Sequence, residues 1–168
     1  KTTLFNAFTG AKLKVANWPG VTVERVEGET NYKGRPIKVI DLPGIYSLTS
    51  YTIEEKVTRK CIEDGEVDVI INVVDASSLE RNLYLTMQLL ELERPMVLAL
   101  NFMDEVEKAG DHIDVERLSQ HLGVPVIPIS ARDGTGLDTL LEVAHRQMHT
   151  GLTVEPDDLY DDYTHEIH

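Results

Sequence analysis

The chain is predicted to fold as an α/β domain, a mostly parallel sheet with helices on both faces and one antiparallel edge strand. Three observations predict this. Apolar runs of five or six residues recur along the chain, without the polar alternation of a sheet that keeps one face wet. Helical apolar stripes lie between those runs, and strands alternating with helices build parallel sheets through right-handed crossovers. One segment, Val23–Tyr32, does alternate, and it ends in turn residues.

The elements follow in order. Leu4, Phe5 and Ala7 form the apolar side of an opening helix. Val23–Tyr32 meets the turn signal Asn31-Tyr32-Lys33-Gly34 and leads into a strand at Ile37–Leu42, which reads as a hairpin. Val69–Val74 and Met96–Leu100 read as buried strands, and Val124–Ile129 as a shorter one broken by prolines. Leu79, Leu83, Met87 and Leu90 make one helical stripe behind a capping box, Ser77-x-x-Glu80. Val115, Leu118 and Leu122 make a second stripe; Leu137, Leu140, Leu141, Ala144 and Met148 make a third. From Gly151 the pattern fades into Glu155-Pro156-Asp157-Asp158, so one domain is expected over residues 1–150 and a linker over 151–168.

With 168 residues the chain is long enough to bury a sizeable core. A net charge of -13 argues against binding a nucleic-acid backbone. It leaves a nucleotide open, because a local set of amides and one Lys holds phosphate against the global field. Cys61 is the single cysteine, so no disulfide forms within the chain. No apolar run approaches the ~20 residues of a membrane span, and no signal peptide is expected.

Short motifs stand at the ends of the strand-like runs. Lys1-Thr2-Thr3 fits the close of a phosphate-binding loop. There, backbone amides wrap the phosphates, the Lys ammonium bridges the β- and γ-phosphates, and the hydroxyl binds Mg²⁺. The glycines and strand of such a loop would precede Lys1, and that strand would lie at the centre of the sheet, between Ile37 and Val69. Asp41-Leu42-Pro43-Gly44 ends a strand. Asp41 suits Mg²⁺ through a water, and the Gly44 amide suits a γ-phosphate; a plain Pro-Gly turn is the alternative. In Asn101-Phe102-Met103-Asp104, the Asp104 carboxylate would accept from N1–H and the 2-amino group of guanine, a donor pair adenine lacks. Asn101 would brace the loop and reach the purine N7, with Met103 in the same nucleotide-binding set; a helix cap is the alternative. In Ser130-Ala131 the Ala131 amide would donate to guanine O6, and the Ser130 hydroxyl would support the preceding loop. Thr22, in Asn17-Trp18-Pro19-Gly20-Val21-Thr22, would join Mg²⁺ and sense the γ-phosphate, which orders such loops. Trp18 suits either a core anchor or an exposed partner contact. Together the motifs describe a P-loop GTPase fold and a GTP/GDP pocket, with Lys1, Thr22 and Gly44 serving hydrolysis.

At these residues the sequence resembles a known family. Asn17–Arg25, Asp41-Leu42-Pro43-Gly44-x-Tyr46-Ser47-Leu48 and Asn72–Leu85, with its Glu80-Arg81-Asn82-Leu83-Tyr84-Leu85, are similar to the cytoplasmic GTPase domain of ferrous iron transport protein B, from Lys1 to about Met148. The resemblance implies six strands, a helical nucleotide-dissociation domain starting near Asp162–His168, and a membrane domain that moves Fe²⁺. It places the chain at the cytoplasmic face of the inner membrane and leaves a homo-oligomer open. Ile45 and Tyr46 follow Gly44, where small signalling GTPases carry a water-orienting Gln. Slow hydrolysis is therefore expected, and the resemblance suggests K⁺ near Asn17 as the missing positive charge. His165 and His168, three apart, are read as a solvated helix start rather than a metal pair. The other functional readings are a nucleotide sensor in which hydrolysis is incidental, a soluble ribosome or RNA assembly GTPase, which the acidic charge disfavours, and a chain that binds nothing without residues ahead of Lys1.

Overall fold

The computed structural model describes residues 2–9, 13–49 and 51–150. Lys1, the stretch 151–168 and the expectations placed on them, the His165 and His168 pair included, lie outside the described residues. The element order is α1 (Thr2–Thr9), β1 (Leu13–Asn17), β2 (Glu24–Tyr32), β3 (Arg35–Asp41), α2 (Ile53–Glu63), β4 (Ile70–Asp75), a 3₁₀ turn (Ala76–Ser78), α3 (Leu79–Leu90), β5 (Met96–Asn101), α4 (Met103–Lys108), α5 (Val115–Leu122), β6 (Val126–Ile129) and α6 (Leu137–Thr150).

β4, β5 and β6 form a parallel sheet, and β1, β2 and β3 an antiparallel one. The antiparallel part is thus larger than the single edge strand expected. β1 is the reason: all five of its residues are exposed, so it carries no apolar run, and its ladder to β2 holds it in place. β2 turns into β3 through Lys33 and Gly34, both at positive φ (50° and 78°), as a two-residue hairpin requires. Among the described residues no strand pairing joins β3 to β4, the position where sequence analysis expects a central strand.

β5 is buried along its whole length. Met96, Leu98 and Leu100 face a core built with Ile62 of α2, Leu83 and Met87 of α3, and Leu122 of α5. Val97 and Ala99 face the other way, onto Leu4 of α1 and Leu140 of α6. Helices therefore cover both faces of this sheet. Each such buried aliphatic side chain stabilises by about 1.5–3 kcal/mol, and that burial makes strands of apolar runs that propensity alone leaves ambiguous. One buried polar pair is satisfied internally: the Thr86 hydroxyl donates to Asn72 Oδ1 at 2.9 Å where α3 crosses β4.

The capping box expected at Ser77-x-x-Glu80 does not form. Asp75 accepts the Ser77 N–H at 2.9 Å, the 3₁₀ turn intervenes, and α3 begins behind Ser78, which makes no side-chain cap. At α2 the same residue pattern does pair: Thr52 caps the Glu55 N–H, and its hydroxyl meets the Glu55 carboxylate, each at 3.1 Å.

α1 links the two sheets. Leu4 sits in the α6-side core, while Thr9 lies against Gly28 of β2. A Cβ on Gly28 would stand 2.5 Å from Thr9 Cβ and Cγ2. Gly28→Ala is expected to destabilise the fold by about 1–3 kcal/mol, and Thr9→Ala to recover part of that loss; thermal denaturation of the single and double variants checks both.

Candidate nucleotide site

Parallel strands deliver their C-terminal ends to one rim of a sheet, where open α/β folds place ligands. The register here aligns Asp75, Asn101 and Ile129 along that rim. Asn101 is 6% exposed. Its Oδ1 accepts the Phe102 N–H at 3.0 Å and, over a longer 3.4 Å, the Ala131 N–H. One buried carboxamide thus shapes its own loop and ties it to the loop after β6. Phe102 takes φ 67° and stands at the N-cap of α4 without a side-chain bond. Neither Asn101 nor Asp104 is the cap, so the simple capping alternative is not what the fold uses. Met103 packs against the larger core, and Asp104 is exposed in the first turn of α4.

Ser130 departs from expectation. Its hydroxyl donates to the Asp133 carboxylate at 3.1 Å and accepts the Asp133 N–H at 3.3 Å, so it braces the turn that follows rather than the loop before. Backbone bonds Ser130 N–H to Thr135 O and Gly134 N–H to Ser130 O close that turn and bring Asp133 into reach. The Ala131 amide, read from sequence as a guanine donor, here points at Asn101.

The other candidates stand on the antiparallel half and on α1. Asp41 ends β3, opposite Val26. Asn17 ends β1, and Thr22 is exposed in the turn that follows. Gly44 is exposed, with nothing within 4 Å of a Cβ built on it, so the backbone there is open to close approach. Thr2 and Thr3 begin α1, of which only the backbone is described at those positions. Leu4 of α1 and Ala131 of the loop after β6 belong to the same hydrophobic core. Among the described residues, a hydrogen bond joins Asn101 to Ala131 within the candidate set. Trp18 is 7% exposed, so of its two readings the fold adopts the buried anchor.

The loop after Gly44 is pinned by a residue that motif reading missed. Glu55, 7% exposed, accepts from the Ser47 hydroxyl, from the Thr49 N–H and hydroxyl, and from the Thr52 hydroxyl, at 2.7–3.1 Å. Leu48 is buried between two further anchors: its N–H donates to Gln88 Oε1 at 2.7 Å, and its carbonyl accepts from Arg59 at 3.1 Å. The pattern Thr52-x-x-Glu55 ahead of Val57 and Cys61 was the available signal. Ile45 packs toward the larger core, and Tyr46 lies under the Arg81 guanidinium at 4.6 Å. A pocket of about 580 Å³ lies elsewhere, between the Ala76–Arg81 segment and α4, and none of the candidate site residues lines it.

Among the described residues no group of three His, Cys, Asp or Glu is placed to hold a metal, and no helix is long and apolar enough to cross a membrane.

Fold and rim together define a domain of the P-loop GTPase class: an α/β sheet with its motif-bearing loops at the strand ends. The chain belongs to the ferrous iron transport protein B family, whose description matches residues 1–144. It is 49% identical over 144 residues to the Fe(2+) transporter FeoB of Shigella flexneri, covering 83% of this chain and 19% of that protein. The cytosolic domain of the T. maritima FeoB iron transporter in a GDP form superposes with a TM-score of 0.85 at 45% identity, over 92% of this chain and 60% of that one. Its GMPPNP form gives 0.86 at 45% identity, over 92% and 61%. The chain thus spans about a fifth of the curated relative's length.

The Thr49 hydrogen bond, foremost among those that Glu55 accepts, holds its carboxyl below the ordinary carboxylate value of 4.5. A carboxyl depressed in the folded state stabilises above its unfolded value, and that contribution is lost as pH falls through the folded one. Glu55→Gln is expected to lower Tm at pH 7 by roughly 5 °C and to flatten the loss of stability below pH 4.5; thermal melts across pH 3–7 check it.

Proposed function

We propose that this chain is the GTP-binding and GTP-hydrolysing domain of a membrane Fe²⁺ transporter, coupling its nucleotide state to iron uptake from the cytoplasmic face of the membrane. The observation that supports it best is the Asn101 carboxamide, which joins the loop carrying Asp104 to the loop carrying Ala131 at the rim of the parallel sheet. In this reading Asp104 accepts from the guanine edge, with Asn101, Met103, Ser130 and Ala131 around the base. Lys1, Thr2 and Thr3 meet the phosphates, while Asn17, Thr22, Asp41 and Gly44 meet the γ-phosphate end. The relatives in GDP and GMPPNP forms support a guanine-nucleotide ligand.

The hydroxyls of Thr2 and Thr22 and the carboxylate of Asp41 are hard oxygen donors, the set that suits Mg²⁺. When bound, that ion neutralises charge on the β- and γ-phosphates. The chain's own groups orient the reaction. The Lys1 ammonium and the Gly44 and Thr22 amides hold the γ-phosphoryl group in line with an attacking water. The new O–P bond forms as the bond to the bridging oxygen breaks, GDP leaves with the electron pair, and the water's proton passes to the released phosphate. Ile45 is packed away and Tyr46 stacks on Arg81, so no side chain directly after Gly44 orients that water. Intrinsic hydrolysis is accordingly slow, and K⁺ near Asn17 would supply the missing charge. The domain extends to about residue 150, and 151–168 lead toward a helical domain.

Asp104→Ala is expected to weaken GTP binding by about 10²-fold or more while leaving ATP binding as weak as before; equilibrium titration with both nucleotides checks this. GTP hydrolysis in K⁺ is expected to exceed that in Na⁺, and equal rates would remove the potassium assignment.

A further inference from the structure

The turn that carries Thr22 is tied to a distant part of the chain by one side chain. Trp18 and Val23 close the turn, with Trp18 N–H donating to Val23 O at 2.9 Å and Val21 N–H to Trp18 O at 3.2 Å. The Trp18 ring is buried beneath the Arg25 guanidinium, 4.7 Å from the ring centroid. Arg25 Nε donates to Glu27, and both of its terminal nitrogens donate to the two oxygens of Glu66. Glu66 lies three residues beyond the end of α2, the helix that follows Asp41-Leu42-Pro43-Gly44. The Arg25 side chain is only 17% exposed, so it is held in a forked, stacked arrangement that a Lys cannot copy. The hydrogen bond from Arg25 also holds the Glu66 carboxyl below its ordinary range.

A second observation sits at the same point. Trp18 Nε1 is buried and has no acceptor among the described residues. Leaving a buried donor unmade costs about 1–3 kcal/mol. An arrangement of the turn that gave the indole an acceptor would recover that cost.

We propose that Arg25 is a positioning residue that couples the Thr22 turn to the end of α2, the helix that follows the Asp41–Gly44 segment, so that the two shift together with nucleotide state. This rests on the nucleotide reading above. It needs no contact between Arg25 and the nucleotide.

The test is a double-mutant cycle on the full chain. Arg25→Met, Glu66→Gln and the pair are titrated with GDP and with a non-hydrolysable GTP analogue, both with Mg²⁺, while Trp18 emission is followed. The chain has a single tryptophan, so that emission reports this turn alone. Emission is expected to differ between the two nucleotides in the unsubstituted chain. Each single substitution should erase that difference and change the preference between nucleotides at least about fivefold, with the pair no worse than either alone. Arg25→Lys, which keeps the charge without the fork, should do the same, and it covers a failure of Arg25→Met to fold. A purely structural ion pair would couple by the same factor in both nucleotide states. That result, or an emission difference that survives Arg25→Lys, overturns the coupling. Nucleotide binding that leaves Trp18 emission unchanged in the unsubstituted chain overturns it too, with the nucleotide reading intact. Failure of the unsubstituted chain to bind either nucleotide overturns both.

Discussion

The position of β5 between two cores is the constraint on which the rest depends. Successive residues along it face opposite layers, so every side chain from Met96 to Leu100 is buried and the strand has no freedom to slip. A register shift of one residue would exchange Leu98 and Ala99 between cores of different size, an overpacking on one side and a cavity on the other. Because the strand is locked, its last residue is locked too. Asn101 reaches the rim at a fixed height, level with Asp75 and Ile129, and from there one carboxamide organises two loops.

Much of the scaffold was legible because burial wrote it into composition. The runs at Val69–Val74 and Met96–Leu100 emerge as β4 and β5 within a residue of the expected ends, and the stripes ending at Leu90 and Leu122 emerge as α3 and α5. What escaped was structure held by hydrogen bonds. β1 exposes Leu13 and Val15 and owes its form to a neighbour 7 to 15 positions away in sequence. α2 buries Glu55 and Thr58 beside Cys61 and Ile62, so its inward face is too polar to make an apolar stripe. The box at Ser77 failed because Asp75, two residues earlier, competed for the same amide with a nearer carboxylate.

The site divides the same way. Strand ends could be located, and with them Asn101, Asp41 and Ser130. Side-chain direction could not, since local turn chemistry sets it: Ser130 turns forward to Asp133 because two glycines fold the chain back over it. Glu55 was legible as the capping partner of Thr52 but not as an anchor of the loop after Gly44, because Ser47 and Thr49 are individually commonplace in turns. The sequence similarity carries the family, and the hydrogen bonds shape the loops that bear the candidate residues.

Phe102 carries a consequence of its own. A side chain with a Cβ at φ 67° is held against its preference, a penalty of roughly 1–2 kcal/mol that the Asn101 bond to its amide helps to offset. The kink is therefore built before any visitor arrives. In the nucleotide reading proposed above, a base settling against that corner would meet a shape already built and surrender less entropy in forming it, so discrimination there would be expressed through fit rather than through wrapping.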